Sequence, residues 1–291
     1  MKLGSICPAP CFREAANFDI PRPGCSRQDL EFSHADGRRF YAVLLSNHEP
    51  GATVDPKLAI VGLSPAGTQI ASFIEAYRKT SSYGKASVQG AFAGLAPDII
   101  AMIEGLGLAE RLDVRFPNKT LAYHPDVYVT SMVACASLTS DYSSDDFNPR
   151  SSAAATRCAT VRLVDDLLRP TFKRLTHVLL LGSKSWEAAH TLRTPEGRSI
   201  IGALVAAGKV VLNLPHPSGQ NREYVNLASL PTNLAPPLTR YVDEKWEEYR
   251  IKPPRQGRKK ENEAKYKAKR TTVWNTVDSL RKEVAKIGPR P

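Results

Sequence analysis

Leu58-Ala59-Ile60-Val61-Gly62-Leu63-Ser64-Pro65-Ala66-Gly67 sets the reading of this 291-residue chain. Four apolar residues that stop at a glycine have the signature of a short strand buried on both faces. Three further runs share it: Val127-Tyr128-Val129-Thr130, His177-Val178-Leu179-Leu180-Leu181 and Val210-Val211-Leu212-Asn213-Leu214. Helical spacing fills the gaps, in Pro97–Leu108, Ala153–Leu168, Lys184–Leu192 and Arg222–Leu230, and Pro170 stops the second of these. Strands alternating with helices over short connections predict an α/β fold. The expected form is a three-layer α/β/α arrangement around a central four-stranded parallel sheet. In such sheets the loops beyond the carboxyl ends of the strands carry the chemistry. Here these loops are Gly62–Gly67, Ser131–Cys135, Gly182–Ser185 and Pro215–Arg222.

Outside this core the pattern changes. Residues 1–55 read as an irregular N-terminal segment packing on the core, punctuated by Pro8, Pro10, Pro21, Pro23 and Gly24, with Tyr41–Leu45 as a strand or a helical turn. Residues 56–240 form the expected core domain, and residues 241–291 a basic, partly helical C-terminal extension. Val273, Trp274, Val277 and Leu280 supply that extension with a modest apolar stripe. The net charge is +11, and from Ile251 to Pro291 there are 13 basic against 4 acidic residues, so the tail holds +9 of it. Concentrated positive charge attracts polyanions, nucleic acid above all; the other role open to it is a solvated tail that aids solubility. No run reaches the roughly 18–20 apolar residues of a membrane span. The first ten residues hold no apolar segment of the kind a secretory signal carries, so a cytoplasmic protein is expected.

The loops exclude several chemistries. GLSPAG contains a serine after a strand, but a hydrolase elbow needs a backbone N–H from the next residue, and Pro65 has none. That makes a serine hydrolase using Ser64 and His216 improbable. No GxxxxGK[ST] or HExxH string occurs, so neither a nucleotide cofactor nor that zinc site is expected. In the last loop, Pro215 and Pro217 fix His216 rigidly at a strand end beside Ser218 and Gly219.

Taken in order, these segments resemble the uracil-DNA glycosylase superfamily. GLSPAG (Gly62–Gly67) stands at its first motif and HPSGQNR (His216–Arg222) at its second. GAFAGLAPDII (Gly90–Ile100) resembles the segment that presents a phenylalanine to the target base. LTHVLLLGSKSWEAA (Leu175–Ala189) resembles the third strand and its helix. The resemblance covers about residues 57–230. It implies a monofunctional DNA glycosylase that flips a base out of the stack and hydrolyses its N-glycosidic bond. His216 would stabilise the negative charge on the departing base, and Phe92 would stack on it, unless Phe92 is an ordinary core residue. Gly62, Leu63 and Ser131 would border the base. Gln220 would be the wedge left in the duplex, while Ser218, Gly219, Asn221 and Arg222 would contact the DNA backbone.

This chain departs from the family pattern in two motifs. Ser64 stands where many relatives carry an Asp or Asn that positions the attacking water, a place that is apolar in one branch. Gln69, Asp141, Asp145 and Asp146 are alternatives for that task. Ser131 stands where relatives often have an asparagine, and a hydroxyl reads a uracil edge less stringently than an amide. With a longer segment from Thr68 to Gly90, read as a lid, this would suit a bulkier modified pyrimidine, such as a hypermodified base in invading phage DNA. The cysteines resemble the iron–sulfur branch of the family. Cys7, Cys11, Cys135 and Cys158, with Cys25 as an alternative member, would hold a [4Fe–4S] cluster that the chemistry itself does not require. The alternative is five incidental thiols, since a disulfide framework is not expected of five cysteines in a cytoplasmic chain.

Three readings follow: a glycosylase for uracil or a modified pyrimidine, one specific for a bulky phage base in anti-phage defence, and a catalytically silent DNA-binding or lesion-sensing module. A monomer associated with the nucleoid through DNA is expected.

Overall fold

The computed structural model describes residues 2–5, 7, 12–35, 38–139, 147–218, 221–251 and 261–287. The first elements are α1 (Arg13–Asn17), β1 (Glu31–Ala35), β2 (Arg38–Leu44) and β3 (Leu58–Gly62). Next come α2 (Gly67–Thr80), α3 (Tyr83–Gly90), α4 (Ala96–Gly105) and α5 (Leu108–Arg111). The middle of the chain forms β4 (Val127–Ser131), β5 (Cys135–Thr139), α6 (Ala153–Arg157), α7 (Leu163–Leu167), β6 (His177–Leu181) and α8 (Ser183–Thr191). The remainder is α9 (Ile200–Ala206), β7 (Val210–Leu214), α10 (Arg222–Ala228), α11 (Leu238–Ile251) and α12 (Glu263–Lys286). These elements fall into two compact units, one of residues 1–97 and 116–216, the other of residues 98–115 and 217–291. Among the described residues no helix is long and apolar enough to cross a membrane.

The first unit contains the expected four-stranded parallel sheet, in the order β4-β3-β6-β7, flanked by helices as a three-layer α/β/α fold requires. All four strands lie where the apolar runs predict them. The reason is physical: Leu58, Ala59, Ile60 and Val61 are all fully buried, so neither face of β3 meets water. On one face Ala59, Val61, Val178 and Leu180 pack against Leu163, Leu167, Ala188, Ala189, Ile200 and Leu204 from α7, α8 and α9. Leu58, Ile60, Val129, Leu179 and Leu181 point the other way and are buried too. Each such side chain contributes about 1.5–3 kcal/mol.

Register fixes what leaves the sheet together. Gly62 pairs with Ser131 across β3 and β4, and Leu181 with Leu214 across β6 and β7. The exposed edge of β4 is closed by a side chain. Asn47, fully buried, donates from Nδ2 to the carbonyls of Leu121 (2.9 Å) and Val127 (2.7 Å) and accepts the Val129 N–H (2.8 Å). An amide thus substitutes for a missing neighbouring strand.

Three expectations are corrected. Residues 1–55 are not irregular throughout: β1 and β2 pair antiparallel, and β2 pairs with β5 in a second, three-stranded sheet. Phe40, Tyr41, Ala42 and Val43 are fully buried there, because the strand is covered on both faces. The stretch from Thr68 to Gly90 is not a lid but α2 and α3. Ile70, Phe73 and Tyr77 recur at helical spacing and join Tyr83 and Ala86 in one core cluster with β2 and β5. Finally, the boundary drawn between residues 240 and 241 falls inside α11, whose Tyr241 and Val242 are buried.

If Asn47 closes the edge of β4, Asn47→Ala strands the Val129 N–H, while the Leu121 and Val127 carbonyls keep the His124 N–H (3.3 Å) and His48 Nε2 (3.1 Å); a buried group without a partner costs about 1–3 kcal/mol. A loss of about 2 kcal/mol in urea unfolding is expected, with Asn47→Asp falling between. Stability within 0.5 kcal/mol of the parent, roughly the range of an innocuous surface change, would remove this role.

Candidate functional site

At the carboxyl end of β3 the backbone comes close to an aromatic ring. A Cβ added at Gly62 would lie 3.2 Å from Phe92 Cε1, 3.3 Å from Cζ and 3.6 Å from Ser131 Oγ. Gly62, Phe92 and Ser131 therefore converge, two of them through sheet register and the third through the turn after α3. Phe92 is buried and has φ 51°, the left-handed region that a bulky residue rarely adopts. Its carbonyl accepts the Leu95 N–H (2.8 Å) and the Ala96 N–H (3.0 Å), which hold the turn. Strain of this kind costs about 1–3 kcal/mol and gathers at functional sites.

The first-motif loop is bonded to the loop after β4. Met132 N–H donates to the Gly62 carbonyl (2.8 Å) and Val133 N–H to that of half-buried Leu63 (3.0 Å). The Ser64 hydroxyl donates to the Cys135 carbonyl (3.3 Å) and accepts the Ser137 N–H (3.1 Å). This hydroxyl is a brace to β5, with at most one lone pair left for a water. Gln69 is occupied as well: buried in the first turn of α2, it accepts the Ala66 N–H through Oε1 (2.9 Å). Asp141, Asp145 and Asp146 lie outside the described residues.

His216 sits two residues beyond β7 against Gly182, which follows β6. Gly182 has φ 85°, and a Cβ there would meet His216 Cβ at 2.9 Å. The Gly182 N–H donates to the Leu214 carbonyl (2.7 Å), so both loops leave the sheet as one piece. Burial pushes the His216 pKa below its ordinary value. A neutral imidazole keeps one N–H to donate and brings no positive charge of its own.

In the second unit the loop after His216 continues into α10. Asn221 bonds back to Ser218, by N–H to the carbonyl (2.9 Å) and by Nδ2 to Oγ (3.3 Å). Gly219 and Gln220 lie outside the described residues. Arg222 pairs with Asp98 of α4 and Glu223 with Arg270 of α12, while Tyr241 Oη donates to Glu223 (2.7 Å). The first turn of α10 is thus clamped by α4, α11 and α12. The same contacts consume much of the helical positive charge in the extension. Lys267 pairs with Asp243 and Glu263, Lys269 with Glu261 and Lys282 with Asp278, while buried Arg281 donates to the Leu227 (2.7 Å) and Leu230 (3.1 Å) carbonyls. Sequence reasoning missed this, because a charge count carries no record of partners.

Three of the expected cluster cysteines share one region. Cys7, Cys135 and Cys158 are buried, and the Cys135 thiol is pushed well up, first by burial and then by Cys158 and Cys7. Ala134 N–H donates to the Cys158 sulfur (3.4 Å). Cys25 lies elsewhere, near Asp29 and Arg78, and Cys11 is outside the described residues. Among the described residues no three His, Cys, Asp or Glu side chains are close enough for a single metal ion. Thiolates are the donors that iron–sulfur clusters take.

The His216 environment has a pH signature. Its pKa is lowered on folding, so its contribution to stability is present above the ordinary value near 6.5 and falls as pH drops through it. Urea midpoints at pH 7.5 and 5.5 should therefore fall more for the parent than for His216→Gln. Equal falls would mean that the imidazole is not desolvated.

The family model described as the Uracil DNA glycosylase superfamily matches residues 23–234. No curated protein and no solved structure gives a match. The matched stretch holds the whole parallel sheet and every loop discussed above, and it ends before α11 and α12. With most of its length matched, the chain belongs to the uracil-DNA glycosylase superfamily, whose activity is that of DNA N-glycosylases on uracil-like bases.

Proposed function

We propose that this chain is a monofunctional DNA glycosylase that flips uracil or a modified pyrimidine out of DNA and hydrolyses its N-glycosidic bond, leaving an abasic site. The observation that carries the reading is the convergence of Gly62, Phe92 and Ser131 at the end of β3 and β4. With no Cβ at position 62, the edge of the buried Phe92 ring packs directly on the β3 backbone, and in this reading its face stacks on the flipped base. Base–aromatic stacking of that kind is worth about 1–3 kcal/mol.

In the reaction the bond between C1′ and the base nitrogen breaks, and its electron pair leaves with the base. Negative charge spreads onto the base oxygens, where the neutral His216 imidazole donates a hydrogen bond. Water attacks C1′ and gives its proton to solvent or to the departing base. Ser64 holds the loop, and its remaining lone pair orients that water without removing the proton. Ser218 and Asn221 contact phosphates, and Gln220 fills the vacated place in the stack; Arg222, paired with Asp98, acts mainly by holding α10. Ser131 leaves more room at the base edge than an asparagine, which supports a bulky modified base, as in defence against phage. The brace at Ser64 supports a second reading, a silent module that binds DNA without chemistry.

Cys7, Cys11, Cys135 and Cys158 are proposed to hold a [4Fe–4S] cluster. When bound, it cross-links the N-terminal segment to β5 and the helical segment at residue 158, and no step of base release passes through it. The protein is proposed to act as a monomer on cytoplasmic, nucleoid DNA, without a nucleotide cofactor.

Base release from duplexes and single strands carrying uracil, mismatched thymine, hydroxymethylcytosine and its glucosylated form, read by mass spectrometry, tests the reading. Removing one charge-stabilising donor typically costs about 10²–10³ in rate, so His216→Ala should lose that much with DNA affinity kept. Undiminished release would unseat His216. Release of uracil alone would end the modified-base reading, and tight binding without release of any base would favour the silent module. The paired extension makes a separate prediction. Lys267→Ala should lower the melting temperature but leave the slope of log affinity against log salt unchanged; a slope shallower by about 1 would mean that Lys267 meets a phosphate.

A further inference from the structure

The cysteine region and the turn after β4 meet at one side chain. Cys158 opens a π turn that Arg162 closes, with the Leu163 N–H bonded to the Cys158 carbonyl, so the wide turn brings the two residues together. Such turns inserted into α-helical segments are rare and gather at functional sites. Arg162 is 4% exposed. One terminal nitrogen donates to Thr130 Oγ1 (3.1 Å) and Asp166 Oδ2 (3.2 Å), and the other donates to the Met132 carbonyl (2.9 Å) and the Ser131 carbonyl. Its Nε is buried and makes no hydrogen bond.

Asp166 accepts from Arg162, from the part-exposed Arg169 and from Tyr128 Oη (2.6 Å), so the buried ion pair is balanced and what it leaves open is the Arg162 Nε. A buried donor of a charged group left without a partner is costly and calls for an anionic neighbour. The Cys158 and Cys7 thiols lie close enough to interact with the Arg162 guanidinium. Thiolates around an iron–sulfur core are such a neighbour, and hydrogen bonds to their sulfurs tune the cluster.

We propose that Arg162 is a positioning residue that couples the cysteine site to the base pocket. Its guanidinium compensates the negative charge of a cluster held by Cys7, Cys135 and Cys158, while its terminal nitrogens fix the Ser131–Met132 turn by the carbonyls. This rests on the cluster reading above, but not on which base is released.

The test compares the full-length parent with Arg162→Lys, purified without oxygen. Iron and sulfide per chain, the visible spectrum and the rate of iron loss to a chelator are measured beside uracil release. Outer-shell partners typically change metal retention about 10–100-fold, so iron loss at least about tenfold faster is expected for Arg162→Lys, with an altered visible spectrum. On the chemistry, kcat should fall with KM for DNA unchanged. Iron retention and spectrum equal to the parent's would overturn the inference and leave the cluster standing. A parent that holds no iron after reconstitution would overturn the cluster reading, and this inference with it. Should Arg162→Lys fail to fold, Thr130→Val removes one acceptor and keeps the charge. Faster iron loss in that variant supports the coupling, and unchanged loss counts against it.

Discussion

The in-register pairing of β3 with a strand on either side is the constraint from which the site follows. β3 has no polar side chain, lies between β4 and β6, and is buried along its whole length. Its only exit is the carboxyl end, where Gly62 is level with Ser131. A slip of one residue would turn every side chain of the strand to the opposite face and replace Gly62 at that level with a residue bearing a Cβ. The packing energy of the sheet therefore also holds the pocket geometry, and no separate stabilisation of the pocket floor is needed.

The loops above the sheet are rigid because their polar groups are satisfied within the fold. The pairing of β3 with β4 continues past the strands through Met132 and Val133, and Ser64 extends the connection to β5. On the other side Gly182 binds the Leu214 carbonyl and leaves room for His216. Against this frame the left-handed conformation of Phe92 is affordable, because the following N–H groups and the close fit over Gly62 hold it. Preorganisation of this type places the entropic cost in folding rather than in ligand binding.

The sheet was legible in the sequence because each strand is a short, nearly continuous apolar run between helical patterns, a length that favours a strand over a helix. The place of His216 at the end of β7 was legible through its two prolines, whereas its role and that of Phe92 rest on the order of the motifs. Other features depend on partners distant in sequence. Asn47 gives no local sign that it closes an edge some 80 residues away. Ser64 has the position of a reactive serine, and only β5 shows that its hydroxyl is taken up by the Cys135 carbonyl and the Ser137 N–H, with one lone pair to spare. The helical spacing of Ile70, Phe73 and Tyr77 was present to be read, but the expectation of a lid over residues 68–90 obscured it. Arg162 lay inside an expected helix, and the π turn that aims it has no sequence signature.

Charge shows the same contrast between composition and structure. A +9 tail suggests a polyanion partner, yet the described helical cations of that tail repeatedly meet carboxylates of their own unit, in α10, α11 and α12. In the first unit the situation is reversed: a region with no notable charge count holds a buried ion pair, Arg162 with Asp166, that the part-exposed Arg169 joins from the rim. Exposed pairs contribute little and are screened by salt, whereas an uncompensated buried charge costs several kcal/mol and must be answered by its surroundings. The few residues around Asp166 therefore constrain the protein more than the whole basic tail. Of the two guanidinium groups that meet there, the buried one keeps a single nitrogen without an acceptor, Nε of Arg162.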